Sequence, residues 1–183
     1  ISDSLRLRLT GEQQKKLAKH YTENTEAYEL YLKGRYYWNK RTGEAFQKAI
    51  GQYEQAITKD PKYALAYAGL ADCYTLMPAW ALMPPNEGHP KAKQAAQRAL
   101  SIDETLAEAH TALAHTLHNY DWNWISAEKE YTRAIQLNPN YATAHHWYAL
   151  YLIHIGRNEE AVKEMTRAQE LDPLSLIIGS VVL

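Results

Sequence analysis

Residues Ala127–Pro173 read AEKEYTRAIQLNPNYATAHHWYALYLIHIGRNEEAVKEMTRAQELDP, and one short pattern occurs in them twice. Ala127, Tyr131, Ala134 and Pro139 are followed at the same spacing by Ala161, Met165, Ala168 and Pro173, the two prolines standing 34 residues apart. Positions three or four apart share one face of a helix, so the two alanines and the large residue between them form a stripe. The small side chains let a neighbouring helix approach closely, the large one fills the groove between helices, and proline ends the helix. One helix pair of this kind cannot bury its own apolar stripe and has to stack on further copies.

Working outward, Ala49, Tyr53, Ala56 and Pro61 make a third copy, and Ala92, Ala96 and Ala99 a fourth with Glu104 in the place of proline. Each copy is preceded by a helix with a small residue where two helices cross and a large one three positions later. These pairs are Gly34/Tyr37, Ala71/Tyr74, Ala114/Leu117 and Ala149/Leu152. The spacing lengthens to 43 residues between Pro61 and Glu104 and to 35 between Glu104 and Pro139. The surplus falls between the two helices of a unit, as an insertion around Met77–Pro90 and a few extra residues near Lys40–Glu44. Both should decorate the same edge of a stack. Helices are expected over 27–39, 45–59, 63–76, 90–102, 105–118, 124–137, 141–154 and 158–171, with Pro90 in the first turn of its helix. No stretch alternates with period two for long enough to make a sheet.

Over residues 27–173 these copies resemble the tetratricopeptide repeat (TPR) family, a helix–turn–helix unit of the same period. The resemblance implies an all-α fold, a right-handed superhelix (α-solenoid) of about four repeats: 27–61, 62–104, 105–139 and 140–173. Residues 1–26 read as an N-terminal helical cap or joint, with Thr10–Gln13 fitting a capping box. Residues 174–183 read as the start of a truncated fifth repeat, and both ends look like cuts in a longer protein. The phrases YLKGRYYWNKRT, KDPKYALAYAGLADCY and LNPNYATAHHWYA resemble the TPR arrays of bacterial signalling proteins. There, a similar array follows a Ser/Thr kinase, a winged-helix DNA-binding domain or a nucleotide cyclase.

Composition narrows the function. Apolar residues make up 46% and charged residues 22%, a globular balance. The net charge of −1, with bases interspersed among acids, offers no clustered basic surface for nucleic acid. Cys73 is the single cysteine, which rules out an intrachain disulfide framework. No apolar run reaches the length of a membrane span and no leader pattern opens the sequence. The expected compartment is the cytoplasm, with the periplasm open if a parent protein carries a transmembrane helix.

The resemblance also implies that the first helices of the pairs line a concave groove with positions two, five, nine and twelve of each repeat. The expected contacts for a peptide or protein partner are Tyr31, Arg35, Trp38, Asp72, Thr75, Thr111, His115, His118 and His146, aromatic anchors with directional polar groups. The sub-family that clamps chaperone C-terminal carboxylates uses lysines, asparagines and an arginine there. Tyr31, Arg35, Ala68, Asp72 and Thr111 hold one cation between them, so that clamp is not expected. Trp80 in the apolar insertion is expected to fold back and bury itself, the alternative being an edge contact for a partner with Trp122 and Trp124.

No cofactor or metal is expected, because His115, His118 and His146 have no cysteine or acidic ligand at a recognisable spacing. His110 and His145 face the partner helix as packed residues. A softer expectation is that the groove histidines charge near pH 6 and make binding pH-sensitive. Cys73 faces a helix interface with no oxyanion hole or orienting group, so no enzyme is expected. The expected role is a non-enzymatic interaction module of a larger bacterial signalling protein. The competing role is a structural spacer or self-association domain, with a homodimer through 174–183.

Overall fold

The structure, a computed structural model, describes residues 22–179. The expected cap helix and the Thr10–Gln13 capping box lie outside the described residues, as does the end of the apolar segment beyond Gly179. Within the described residues the chain is all helical: α1 Thr25–Asn39, α2 Gly43–Lys59, α3 Ala64–Leu76, a 3-10 turn Pro78–Trp80, α4 Pro85–Ile102, α5 Ala107–Asn119, α6 Trp124–Leu137, α7 Ala142–His154, α8 Asn158–Leu171 and α9 Leu176–Gly179. No helix among them is long and apolar enough to cross a membrane.

Each odd-numbered helix from α1 to α7 packs on the helix that follows it, and α1, α3, α5 and α7 stack in succession. The alanines of the repeated pattern are what allow this. Ala49, Ala56, Ala92, Ala99, Ala127, Ala134, Ala161 and Ala168 are wholly buried, as are the large residues Tyr53 and Tyr131 between two of those pairs. The Tyr53 ring lies between α1 and α3. A Cβ added at Gly34 would come within 2.4 Å of it, and one added at Gly69 within 2.5 Å. Glycine is thus needed on both helices because the ring fills the space.

The junctions between repeats are also alike. Asp60, Asp103 and Asn138 each turn a side-chain oxygen back onto the amide two residues on, Lys62, Thr105 and Asn140, at 2.9 to 3.2 Å. Each also accepts the amide of the third residue on its own carbonyl. Such Asx turns satisfy backbone groups that the helix ends leave open.

Every turn inside a repeat passes through the left-handed region, at Arg41 (φ 52°), Ala81 (54°), Trp122 (54°) and Gly156 (79°). Only Gly156 does so without a Cβ penalty, which is about 1 kcal/mol for the others. Ala81→Gly should therefore raise the melting temperature by about 2–4 °C in a thermal scan, no side chain being lost beyond a methyl.

The insertion differs from expectation in two ways. Its second half is helical from Pro85, so Pro90 sits inside α4 and not in its first turn. The segment does fold back on the first repeat, with Leu82 against Gly43 and Trp80 edge-on to Phe46 at 6.4 Å. Yet Trp80 stays 49% exposed, which corrects the expectation that it buries itself. The 3-10 turn leaves the ring half-exposed beside Phe46, on the open cleft.

Candidate functional site

The inner row of helices brings Arg35, Asp72 and His146 to one side. Arg35 on α1 reaches across to α3, its Nη1 donating to Asp72 Oδ2 at 3.3 Å. Its guanidinium also lies 4.5 Å from the centre of the Trp38 ring. Arg41, from the strained turn, lies over the same indole at 3.4 Å. Burial pushes the Asp72 carboxyl up to about 7 against the pull of Arg35 and Arg41. Burial likewise lowers the Arg41 guanidinium to about 10, with Asp72 opposing the fall and Arg35 adding to it. Arg35, Trp38, Arg41, Thr143, His146 and Ser175 border a chamber of about 70 Å³. Asn39, Arg41, Asp172, Ser175 and Ile177 are shared with an open cleft of about 710 Å³ that runs past Lys40, Trp80 and Leu174.

The remaining expected groove residues divide. Tyr31 is half-buried, tilted against Tyr53 at 5.9 Å and Tyr63 at 5.4 Å. Thr75 and Thr111 are corrected as contacts. Both are fully buried, and the Thr111 hydroxyl donates to the Ala107 carbonyl of its own helix at 2.8 Å. A short hydroxyl on a helix binds its own backbone more readily than it reaches outward. Trp38, Asp72 and His146 are almost wholly buried; Trp38 and His146 border the chamber, whereas Asp72 meets it only through Arg35.

His115, His118 and His146 do not converge. His146 borders the chamber, and His115 packs on Trp147 at 4.6 Å. His118 lies in a separate pocket of about 350 Å³ with Asn119, Trp122, Trp124 and His154. There its Nε2 is 2.8 Å from His154 Nδ1, so one of these nitrogens donates and the other accepts. No group of three or more His, Cys, Asp or Glu side chains among the described residues is placed to hold a metal ion. Burial lowers His115 to about 3 and both His118 and His146 to about 4. This corrects the expectation that they charge near pH 6, because the imidazolium would have to form away from water.

Trp122 and Trp124 meet edge to face at 5.8 Å over this pocket, with Trp122 69% exposed. Trp80 lines the cleft instead. His110 and His145 serve structure. In each, Nδ1 lies 2.5 Å from a carboxylate of the paired helix, Glu130 or Glu164, and Nε2 faces the carbonyl of Glu104 or Pro139. Cys73 is buried in the core, and burial raises its thiol well above the ordinary value.

Arg41 and His154 were not anticipated. The signal for Arg41 was its position, fifteenth from the repeat start and equivalent to Gly156. That marks a left-handed turn occupied by a side chain. For His154 no comparable signal exists, since it pairs with His118 only when two repeats are stacked.

Comparison with known proteins agrees with this geometry. Residues 130–163 match the sequence profile of a tetratricopeptide repeat. The fold is similar to a thermophilic TPR protein of Thermus thermophilus (TM-score 0.67, 17% identity, 92% of this chain and 82% of that one). It is also similar to MamA (TM-score 0.52, 22% identity, 88% and 86%). Residues 130–163 thus carry a tetratricopeptide repeat, and the described residues have the fold of a tetratricopeptide-repeat solenoid, typically a non-catalytic protein–protein interaction scaffold. Among curated proteins it is similar to the transcriptional regulator HilA of Salmonella typhimurium, at 26% identity over 82% of this chain. It is similar as well to anaphase-promoting complex subunit 3 of Schizosaccharomyces pombe, at 24% identity over 68%. The matched chain spans 27% of the first relative's length and 17% of the second's.

Proposed function

We propose that this chain is a non-enzymatic docking module of a larger bacterial signalling protein, holding an extended or helical partner segment on its concave side. The observation that carries the reading is the inner polar row. Arg35 on α1 and His146 on α7 border a chamber that opens into the 710 Å³ cleft, and Asp72 on α3 accepts from Arg35 at 3.3 Å. Alanine packing alone would seal the repeats, so these groups exceed what the fold requires. A transcriptional regulator among the relatives supports the signalling setting, and a subunit of a multiprotein complex supports docking. Tyr31, Arg35, Trp38, Asp72, His115 and His146 are the proposed inner contacts. Trp80 and the Trp122/Trp124 pair with His118 are proposed edge contacts.

The test is capture of a partner by the isolated array, followed by peptide mapping and titration of the mapped segment. Arg35→Ala should weaken the segment by about tenfold or more, the usual cost of losing a central arginine anchor. Equal affinity for the variant, or a map confined to the convex helices α2, α4, α6 and α8, would reject the groove. Trp122→Gly separates edge binding from stability, because it should melt no lower than the wild type while weakening the partner. Light scattering at the same concentrations reads self-association through 174–183 independently.

A further inference from the structure

Arg41 stands out because its placement is costly and the Trp38 ring alone partners its guanidinium among the described residues. It takes up a left-handed backbone at φ 52° where the last repeat has Gly156. Its guanidinium carbon lies 3.4 Å from the centre of the Trp38 ring, and the group forms no hydrogen bond or ion pair among the described residues. Five N–H donors of a half-buried side chain are thereby left without a protein acceptor among the described residues. The carboxylate bearing on it, Asp72, is already engaged by Arg35 at 3.3 Å. Asp172 also borders the chamber, but it is solvent-exposed and paired with neither arginine. The indole N–H of Trp38, on the same wall, is buried with no acceptor among the described residues. Two guanidiniums and an orphan N–H therefore have a single buried carboxylate among them. A second anion would complete the set.

We infer that the chamber is a carboxylate pocket, built by Arg41, Arg35 and Trp38 with Thr143, His146 and Ser175, which receives an acidic side chain of the docked segment. The inference rests on the docking reading and adds the chemistry of the ligand. A 70 Å³ chamber admits a carboxylate on a short stem and not a main chain, whereas the adjoining open cleft of about 710 Å³ has the volume for the backbone. Arginine's planar fork suits a carboxylate in two-point contact, and stacking on an indole leaves its N–H edge free to make it. The occupant is thus an Asp or Glu side chain branching inward from a segment that runs along the cleft.

The experiment follows the Trp38 and Arg41 side-chain N–H resonances of the array at fixed ionic strength. The probes are the blocked tripeptides acetyl-Ala-Glu-Ala-amide, acetyl-Ala-Gln-Ala-amide and acetyl-Ala-Gln-Ala with a free carboxyl end, and inorganic phosphate. Saturable shifts with the glutamate peptide, about tenfold weaker with the blocked glutamine peptide and in Arg41→Gln, support the pocket. Arg41→Lys should recover part of the response, keeping the charge without the fork. Arg41→Gly should lose the response while melting no lower than the wild type, since it also relieves the turn. That result excludes unfolding as the cause. An equal response to the blocked glutamine peptide, a stronger one to the free carboxyl end or to phosphate, or none at all overturns the assignment. Partner capture that persists unchanged in Arg41→Gln sinks the pocket alone. A failure of capture with the unmodified array sinks the docking reading and leaves the tripeptide titration to be judged separately.

Discussion

Tyr53→Ala should lower the stability of the array by about 3–5 kcal/mol, the range for a buried aromatic truncated in a core. Its ring is fully buried and joins two repeats, with Gly34 of α1 on one side and Gly69 of α3 on the other. The sharper result concerns those glycines. An alanine methyl would stand 2.4 Å from the ring at Gly34 and 2.5 Å at Gly69. The ring cannot retreat from one helix without striking the other, so each Gly→Ala change should cost about 1–3 kcal/mol as overpacking. In a Tyr53→Ala background the same changes should cost almost nothing, each methyl refilling part of the cavity. Chemical denaturation of the double-mutant cycle reads the coupling directly, and simple additivity would refute the wedge. Tyr53→Phe makes an internal control. The Tyr53 hydroxyl is buried with no partner among the described residues, so its removal should be neutral or stabilising by about 1 kcal/mol.

Acid should weaken the array through its interior histidines. Burial, with the neighbouring imidazoles second, holds His115 at about 3, and burial holds His118 and His146 at about 4, against an ordinary 6.5. In the unfolded chain each takes up a proton near pH 6.5, whereas the folded chain resists until pH 3 to 4. The unfolded state therefore binds more protons in between. Their contribution is complete above pH 6.5 and is lost as the pH falls toward 4. At pH 5 the loss is about 2 kcal/mol per histidine. Two groups pull the other way, Asp72 raised by burial and His110 raised, against burial, by Glu130 and the Glu104 carbonyl. Both bind protons more tightly when folded, so they favour the fold on the acid side. The clean readout is consequently a difference. Between pH 7.5 and 5.0 in urea, the stability gap between wild type and His146→Gln should narrow by about 2 kcal/mol. Parallel curves would show that His146 is not held neutral by the fold.

The two classes of histidine show how far a repeat pattern can be read. His110 and His145 sit at one repeat position, and both were anticipated as packed against the partner helix. The structure adds the carboxylates that face them, Glu130 and Glu164. His118 and His154 fall at different repeat positions, and their contact at 2.8 Å is made only by stacking α5 beside α7. Thr75 and Thr111 failed as groove contacts for a related reason. Position in a helical period tells which face a residue is on but not how deep that face lies once the next helix has closed over it.

The order and pairing of the helices, the alanine seams and the ends at Asp60, Asp103 and Asn138 follow from residue spacing alone. They depend on a local period of 3.6 residues per turn and on side-chain size, which a linear chain displays directly. The wedge of Tyr53 between two glycines, the exposure of Trp80 and the chamber behind Arg41 needed the tertiary structure. Each depends on the distance between residues far apart in the chain, and that distance is set by how adjacent repeats pack, which no local period encodes.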